Sequence, residues 1–162
     1  MSDGIFQDWS ANRGNLRSCF VLVMFRMAQA CARLPAALRW IGWPHLAAYH
    51  LIVIWELGIE LNHKAIIGPG LKLFHGTALV VHEKAVIGKH CTLRHCTTIG
   101  NRIAGDDVPV IGDEVDIGCN SVVLGRITIG DRAKIGAGSV VVHDVAPDQT
   151  VAGNPARPIK KE

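Results

Sequence analysis

Hydrophobic residues in the second two thirds of the chain recur on a six-residue beat. From Ile111 to Val145 the hexads open on Ile111, Ile117, Val123, Ile129, Ile135 and Val141, and four residues after each opener stands a smaller or β-branched residue: Val115, Ser121, Ile127, Ala133, Ser139 and Val145. An amphipathic helix needs apolar spacings of three and four, and an alternating strand needs two. Neither fits. The period is that of a parallel β-solenoid, in which each hexad is a short strand plus a turn and three hexads close one triangular coil. The openers stack inside, and the glycine that follows most of them is read as the residue permitting a tight corner.

Upstream the beat runs through Leu61, Ile67, Leu73, Val81, Ile87, Leu93 and Ile99; it slips by two residues at Leu79 and Val80 and is broken by a loop from Gly105 to Val110. Thirteen hexads result, which predicts slightly more than four coils. If the slip and the loop add no net hexad, the hexads opening at Leu73, Leu93, Ile117 and Ile135 share a face, stacked at the strand spacing of ~4.8 Å. Their third positions then form an outward column of His75, His95, Cys119 and Ala137. A histidine head grading into small residues suits a reactive group beside a groove for something long.

Residues 1–15 are polar and carry no recognisable signal peptide. Leu16–Leu34 reads as a helix, with Arg26, Gln29 and Arg33 on one narrow face and Pro35 ending it. A second helix is expected to begin at Pro44, a favoured first position, and to reach about Gly58, with His45, Tyr49 and Glu56 on one side. Both are apolar around most of their circumference. One reading packs them on the solenoid's first coil and on neighbouring subunits, covering an exposed strand edge. The other lays Trp40 and Trp43, with Arg33 and Arg39, on a membrane surface as a peripheral attachment. The uncharged apolar runs fall short of the ~20 residues that spanning requires. The expected division is a helical segment, 1–60, and a solenoid with a C-terminal tail, 61–162, so the fold class is mainly β.

Composition narrows the function. At 162 residues with 49% apolar side chains the chain is one domain's worth. A net charge of +3 with pI about 8.7, and no basic block interleaved with aromatics, argues against nucleic acid. The five cysteines Cys19, Cys31, Cys91, Cys96 and Cys119 are odd in number and lack CxxC spacing, which fits a reducing cytoplasm.

Several segments carry a family resemblance: Glu60-Leu-Asn-His-Lys-Ala-Ile-Ile-Gly, Leu73-Phe-His-Gly, Thr98-Ile-Gly-Asn, Ile135-Gly-Ala-Gly-Ser-Val-Val and Ala152-Gly-Asn-Pro-Ala-Arg. Over about 100 of the 162 residues the chain resembles the serine acetyltransferase family, and more closely the exopolysaccharide acetyltransferases of the colanic-acid type. The resemblance implies a left-handed β-helix, a hand that runs against the general crossover rule. It also implies a homotrimer and acetyl-coenzyme A as acyl donor. It assigns His75 as general base and Glu60, fifteen residues before it, as the carboxylate that orients the imidazole. Asn101 is expected at the oxyanion or cofactor, Cys119 and Ala137 beside the thioester arm, Lys134 and Arg157 (with Lys160 and Lys161) at the phosphates, and His95 in support. Cys91 is read as core.

One departure bears on the acceptor. Where the serine enzymes place a histidine before the proline of the loop, this chain has Val108 before Pro109, and the loop is shorter. A pocket lacking a donor there loses its hold on a carboxylate. The expectation is therefore O-acetylation of a sugar hydroxyl of an exopolysaccharide or its lipid-linked precursor, in the cytoplasm or at the inner membrane face. Serine O-acetylation is the first alternative. The second is a zinc hydratase of the γ-carbonic-anhydrase kind, because His90 and His95 share that family's five-residue step; the third histidine it needs, around Ile52 to Ile54, is missing, so no metal is expected.

Overall fold

Short strands separated by corners stack into three parallel sheets. The structure, a computed structural model, describes residues 4–103 and 105–159. The first coil holds β1 (Ile59–Leu61), β2 (Ile66–Ile67) and β3 (Lys72–Phe74), and the second β4 (Leu79–Val81), β5 (Val86–Ile87) and β6 (Thr92–Arg94). The third holds β7 (Thr98–Gly100), β8 (Val110–Ile111) and β9 (Asp116–Ile117), and the fourth β10 (Val122–Leu124), β11 (Thr128–Ile129) and β12 (Lys134–Ile135). β13 (Val140–Val141) opens a fifth, closed by a bridge at Val145 and by β14 (Thr150–Gly153), on which β15 (Ala156–Pro158) folds back antiparallel. Sheet A is ordered β1-β4-β7-β10-β13, sheet B β2-β5-β8-β11, and sheet C β3-β6-β9-β12-β14-β15.

The solenoid thus has about five turns, more than the hexads alone predict. The beat fades after Val141, yet Val145 pairs with Ile129 and Val151 with Ile135, so the tail completes the last coil. Register is undisturbed by the slip and by the loop: Leu73 pairs with Leu93, Ile87 with Ile111, and Ile117 with Ile135. The extra residues of the slip are taken up in the corner from His75 to Ala78, ahead of β4, which itself includes Leu79 and Val80, and the loop ends where β8 begins at Val110.

The openers are buried throughout, and each such aliphatic side chain contributes roughly 1.5–3 kcal/mol of transfer free energy against its ordering cost. Small polar residues tolerate the same interior because their hydroxyls are satisfied: Ser121 and Ser139 donate to the Gly136 carbonyl at 3.0 and 2.6 Å, and Thr97 to that of Gly118 at 3.3 Å. The second-position glycines serve a different purpose from the one expected. A Cβ on Gly118 would stand 2.5 Å from the Ala137 nitrogen, and one on Gly130 2.4 Å from that of Pro147, so glycine lets one coil approach the next. The left-handed corner falls two residues later, on His90, Cys96, Glu114, Asn120 and Arg132, with φ between 56° and 59°.

Two helices form the base. α1 (Leu16–Ala32) is capped by Asn15, whose side chain accepts from the Ser18 N–H. α2 (Arg39–Tyr49) begins five residues ahead of the expected Pro44, which lies inside it, and runs on into a π-helical stretch, His50–Glu56. Packing overrides the proline signal: a Cβ on Gly42 would lie 2.8 Å from the Cys31 Cβ, which shows how closely α2 crosses α1. The base also closes the open strand edge of the first coil. Asp8 and Asn12 accept from the Leu71 and Leu73 N–H groups at 2.9 and 3.0 Å; Ser18 donates to the Leu73 carbonyl at 2.9 Å, Gln29 to Ala65 at 3.0 Å, and Tyr49 to Leu61. Arg26, paired with Asp8 at 2.7 Å, donates to the carbonyls of Ile67 and Gly68 at 2.8 and 2.7 Å.

Candidate active site

The two-residue slip marks the corner between β3 and β4. There His75, Gly76 and Ala78 all have positive φ, at 66°, 59° and 55°. The other corners carry single left-handed residues; three within four positions set this corner apart, and clustered strain of that kind is found at functional sites. The corner is held from both sides: the Ala78 N–H donates to the Gly58 carbonyl at 2.8 Å, and the Cys96 N–H to that of Thr77 at 2.9 Å. The His75 side chain is exposed and makes no hydrogen bond among the described residues. Its ring meets that of His95 edge-on, with centroids 6.0 Å apart. His95 is half-buried, and its Nδ1 is buried without a partner. An orphaned polar atom of this kind costs about 1–3 kcal/mol, a deficit that a bound polar group can remove. Above His95 the column continues as expected through Cys119 and Ala137, joined by Asn120 N–H to His95 carbonyl (3.1 Å) and Gly138 N–H to Cys119 carbonyl (2.9 Å) bonds.

Glu60 and Asn101 lie elsewhere, on the outer side of sheet A, where they line a groove of about 470 Å³ with His50, Asn62, His82 and Glu83. Glu60 is exposed on β1, and the corner bearing His75 bonds to Gly58, two residues before it. The two side chains are not hydrogen-bonded to each other. The Glu83 carboxylate accepts from Lys64 at 2.8 Å, and that bond holds its pKa below the ordinary range. His50 meets His63 edge-on at 5.8 Å; burial, then the His50 charge, lowers the pKa of His63. His50, Asn62 and Glu83 were missed in the sequence. The column rule could have found part of this wall: the second positions of the hexads opening at Leu61, Val81, Ile99 and Val123 are Asn62, His82, Gly100 and Leu124, and all four line the groove.

On sheet C, Lys134 is exposed on β12 between Asp116 and Thr150, and Arg157 is exposed on β15 opposite Ala152. Two further cations, unforeseen, share that face: Lys72 and Arg94 cover the Phe74 ring at 4.6 and 5.3 Å. Arg94 is ion-paired with Asp116, and this bond raises its pKa. Val108 is half-buried before Pro109 and does not line the groove. Lys160 and Lys161 lie outside the described residues. Cys91 is core, and burial pushes its thiol up to about 11. His90 is an exposed corner residue. Among the described residues no three His, Cys, Asp or Glu side chains gather as a metal-ligand group.

The bacterial transferase hexapeptide (six repeats) family matches residues 109–143. Over 158 residues the chain is 37% identical to a putative colanic acid biosynthesis acetyltransferase of Escherichia coli (strain K12), covering 94% of this chain and 97% of that protein. The chain belongs to the hexapeptide-repeat acetyltransferases. It is also similar to the mitochondrial serine acetyltransferase 3 of Arabidopsis thaliana, 48% identical over 101 residues, which is 61% of this chain and 26% of that one. A serine acetyltransferase from Brucella abortus strain S19, solved in complex with coenzyme A, matches with a TM-score of 0.75 and 32% identity over 90% of this chain and 56% of that one. The acetyltransferase thus spans nearly the whole colanic-acid relative but only part of these serine enzymes.

Proposed function

We propose that the acetyltransferase transfers acetyl to a hydroxyl of an exopolysaccharide sugar or its lipid-linked precursor, in the cytoplasm, as a homotrimer. The groove beside Glu60 carries the reading: its wall holds two carboxylates, two amides and two imidazoles, and no lysine or arginine. Such a wall can hydrogen-bond many neutral hydroxyls. Lys64, beside the wall, is engaged by Glu83, so the lining offers no lysine or arginine of its own to an amino acid's carboxylate, and charge-assisted bonds are the strong ones. Val108 adds no donor. Serine is the second reading, favoured by the 48% identity over the solenoid.

Acetyl-coenzyme A supplies an activated thioester. His75 takes the acceptor's proton as the hydroxyl oxygen attacks, and returns it to the departing sulfur; its alcohol substrate, with a pKa far above 7, is a poor nucleophile without that help. Glu60 steadies the imidazolium once the side chains close on a bound acceptor, since catalytic hydrogen bonds are often long in the free enzyme. Asn101 and backbone N–H groups bind the developing oxyanion. The small side chains of Cys119 and Ala137 leave room for an extended arm, and Lys134 and Arg157 offer free charges to phosphates. His95, its Nδ1 unpartnered, bonds the acceptor beside His75.

The test is thiol release under saturating acetyl-coenzyme A, with L-serine and with oligosaccharides of a polysaccharide pathway as acceptors. A far higher kcat/KM for a sugar is expected. Efficient turnover of serine with inert sugars reverses the assignment.

A further inference from the structure

One helix of the base is apolar on two sides. From Arg39 to Glu56, α2 and the π-helical stretch run without a break, and the inner side, with Gly42, Tyr49 and Val53 buried, packs toward α1 and the solenoid. The outer side carries Trp40, Trp43, Ala47, Leu51 and Trp55, spaced by three and four residues so that they form one stripe. Trp40 is 74% exposed, Trp43 69%, Leu51 59% and Trp55 76%. A helix apolar all round is ordinarily covered all round, and a contiguous apolar patch of this kind marks an interaction surface.

Charge indicates what covers it. From Trp9 to Trp55 the chain holds five arginines and no Asp or Glu. Arg26 is buried on Asp8, but Arg13, Arg17, Arg33 and Arg39 are exposed, and among the described residues their side chains have no bonded carboxylate. Arg39 lies one helical turn before Trp43. A second copy packed on this face by a twofold axis would set like charges near one another, with only Glu56 to answer them. Anionic lipid headgroups answer the arginines, while indole rings settle at the boundary between headgroup and acyl chain. Among the described residues no helix is long and apolar enough to cross a membrane. We propose that the outer face of α2 and the π-helical stretch, with Arg39 at its start and the exposed Arg33 at the end of α1 just before it in the chain, docks in the plane of an anionic lipid bilayer. His50 lines both the apolar depression under Trp43 and Trp55 and the groove that holds Glu60, so docking sets the His50 end of that groove toward the bilayer. The inference does not depend on which acceptor is acetylated.

The test is flotation of the full-length chain with vesicles of phosphatidylcholine mixed with phosphatidylglycerol, against phosphatidylcholine alone. Binding to the anionic vesicles, with a blue shift of tryptophan emission, is expected. The triple variant Trp40→Ser/Trp43→Ser/Trp55→Ser and the double variant Arg33→Glu/Arg39→Glu should each lower the partition coefficient more than about tenfold. The second variant alters only exposed side chains, so it remains informative if the first fails to fold; coenzyme A binding and circular dichroism report that it has folded. Flotation on neither vesicle, or equally on both, overturns the proposal. So does a native mass that falls in the tryptophan variant without any vesicle binding, which would assign the face to a second copy.

Discussion

At the scale of single residues, the geometry around His75 separates reactive groups from structural ones. Its ring is exposed, its edge-on neighbour His95 carries a buried, unpartnered Nδ1, and its corner holds three positive-φ residues within four positions. The other histidines near the solenoid corners differ: His82 Nδ1 accepts from the Lys84 N–H at 3.2 Å, and His90 occupies an ordinary corner. If His75 takes the acceptor proton, His75→Ala should lower kcat by at least the ~10²-fold typical of a lost general base, with coenzyme A affinity largely kept. Glu60→Gln should cost less, because it removes an orienting charge rather than the proton acceptor. Calorimetry with coenzyme A beside steady-state kinetics checks both. Near-normal turnover in the His75 variant, or equal loss of cofactor binding, would place the base elsewhere.

At the scale of elements, the clamp between helical base and first coil shows where sequence reading succeeds and where it stops. Arg26 and Gln29 were legible as one helical face, because their spacing is local. Asp8 and Asn12 were not: their partners are backbone groups of Leu71 and Leu73, some sixty residues away, and nothing in a short polar segment announces them. Arg26→Met should destabilise the protein by ~3–5 kcal/mol, since it strands a buried carboxylate and two strand-edge carbonyls. Urea unfolding followed by circular dichroism measures this, and a loss within ~0.5 kcal/mol, as at an ordinary surface site, would deny the clamp its role. The solenoid itself was legible because a strict six-residue period leaves little choice of fold. The start of α2 was misread because Pro44 is a strong local signal and the close crossing at Gly42 is a tertiary one. The His75 column followed from register alone. The groove wall was equally periodic, but its members are chemically mixed, so no single residue type drew the eye along it.

At the scale of the whole molecule, the interior explains why one chain folds, and the exterior argues that one chain is incomplete. A sheet facing water usually carries polar residues outward. Here sheet B presents Ile66, Val86 and Val110 in one outward row, and sheet A presents Val80, Val122, Leu124 and Val140. The apolar row of sheet B, and the valines that alternate with Glu60 and Thr98 on sheet A beside the groove, suit a closed ring in which one face packs on the other face of a neighbour, and a cyclic ring of that kind has no unpaired surface. Sheet A also bears Glu60 and adjoins the corner of His75, and neither side chain makes a hydrogen bond among the described residues. A subunit boundary there would enclose the site from its open side. The expected particle is therefore a trimer of 17.5 kDa chains. Ile66→Glu and Val110→Glu, both at exposed positions, should dissociate it and abolish turnover while leaving the circular dichroism of the solenoid intact. Light scattering on the unaltered protein decides the matter first: the mass of a single chain at working concentration, with full acetyl transfer, would show that each subunit carries a complete site and that these apolar rows serve another purpose.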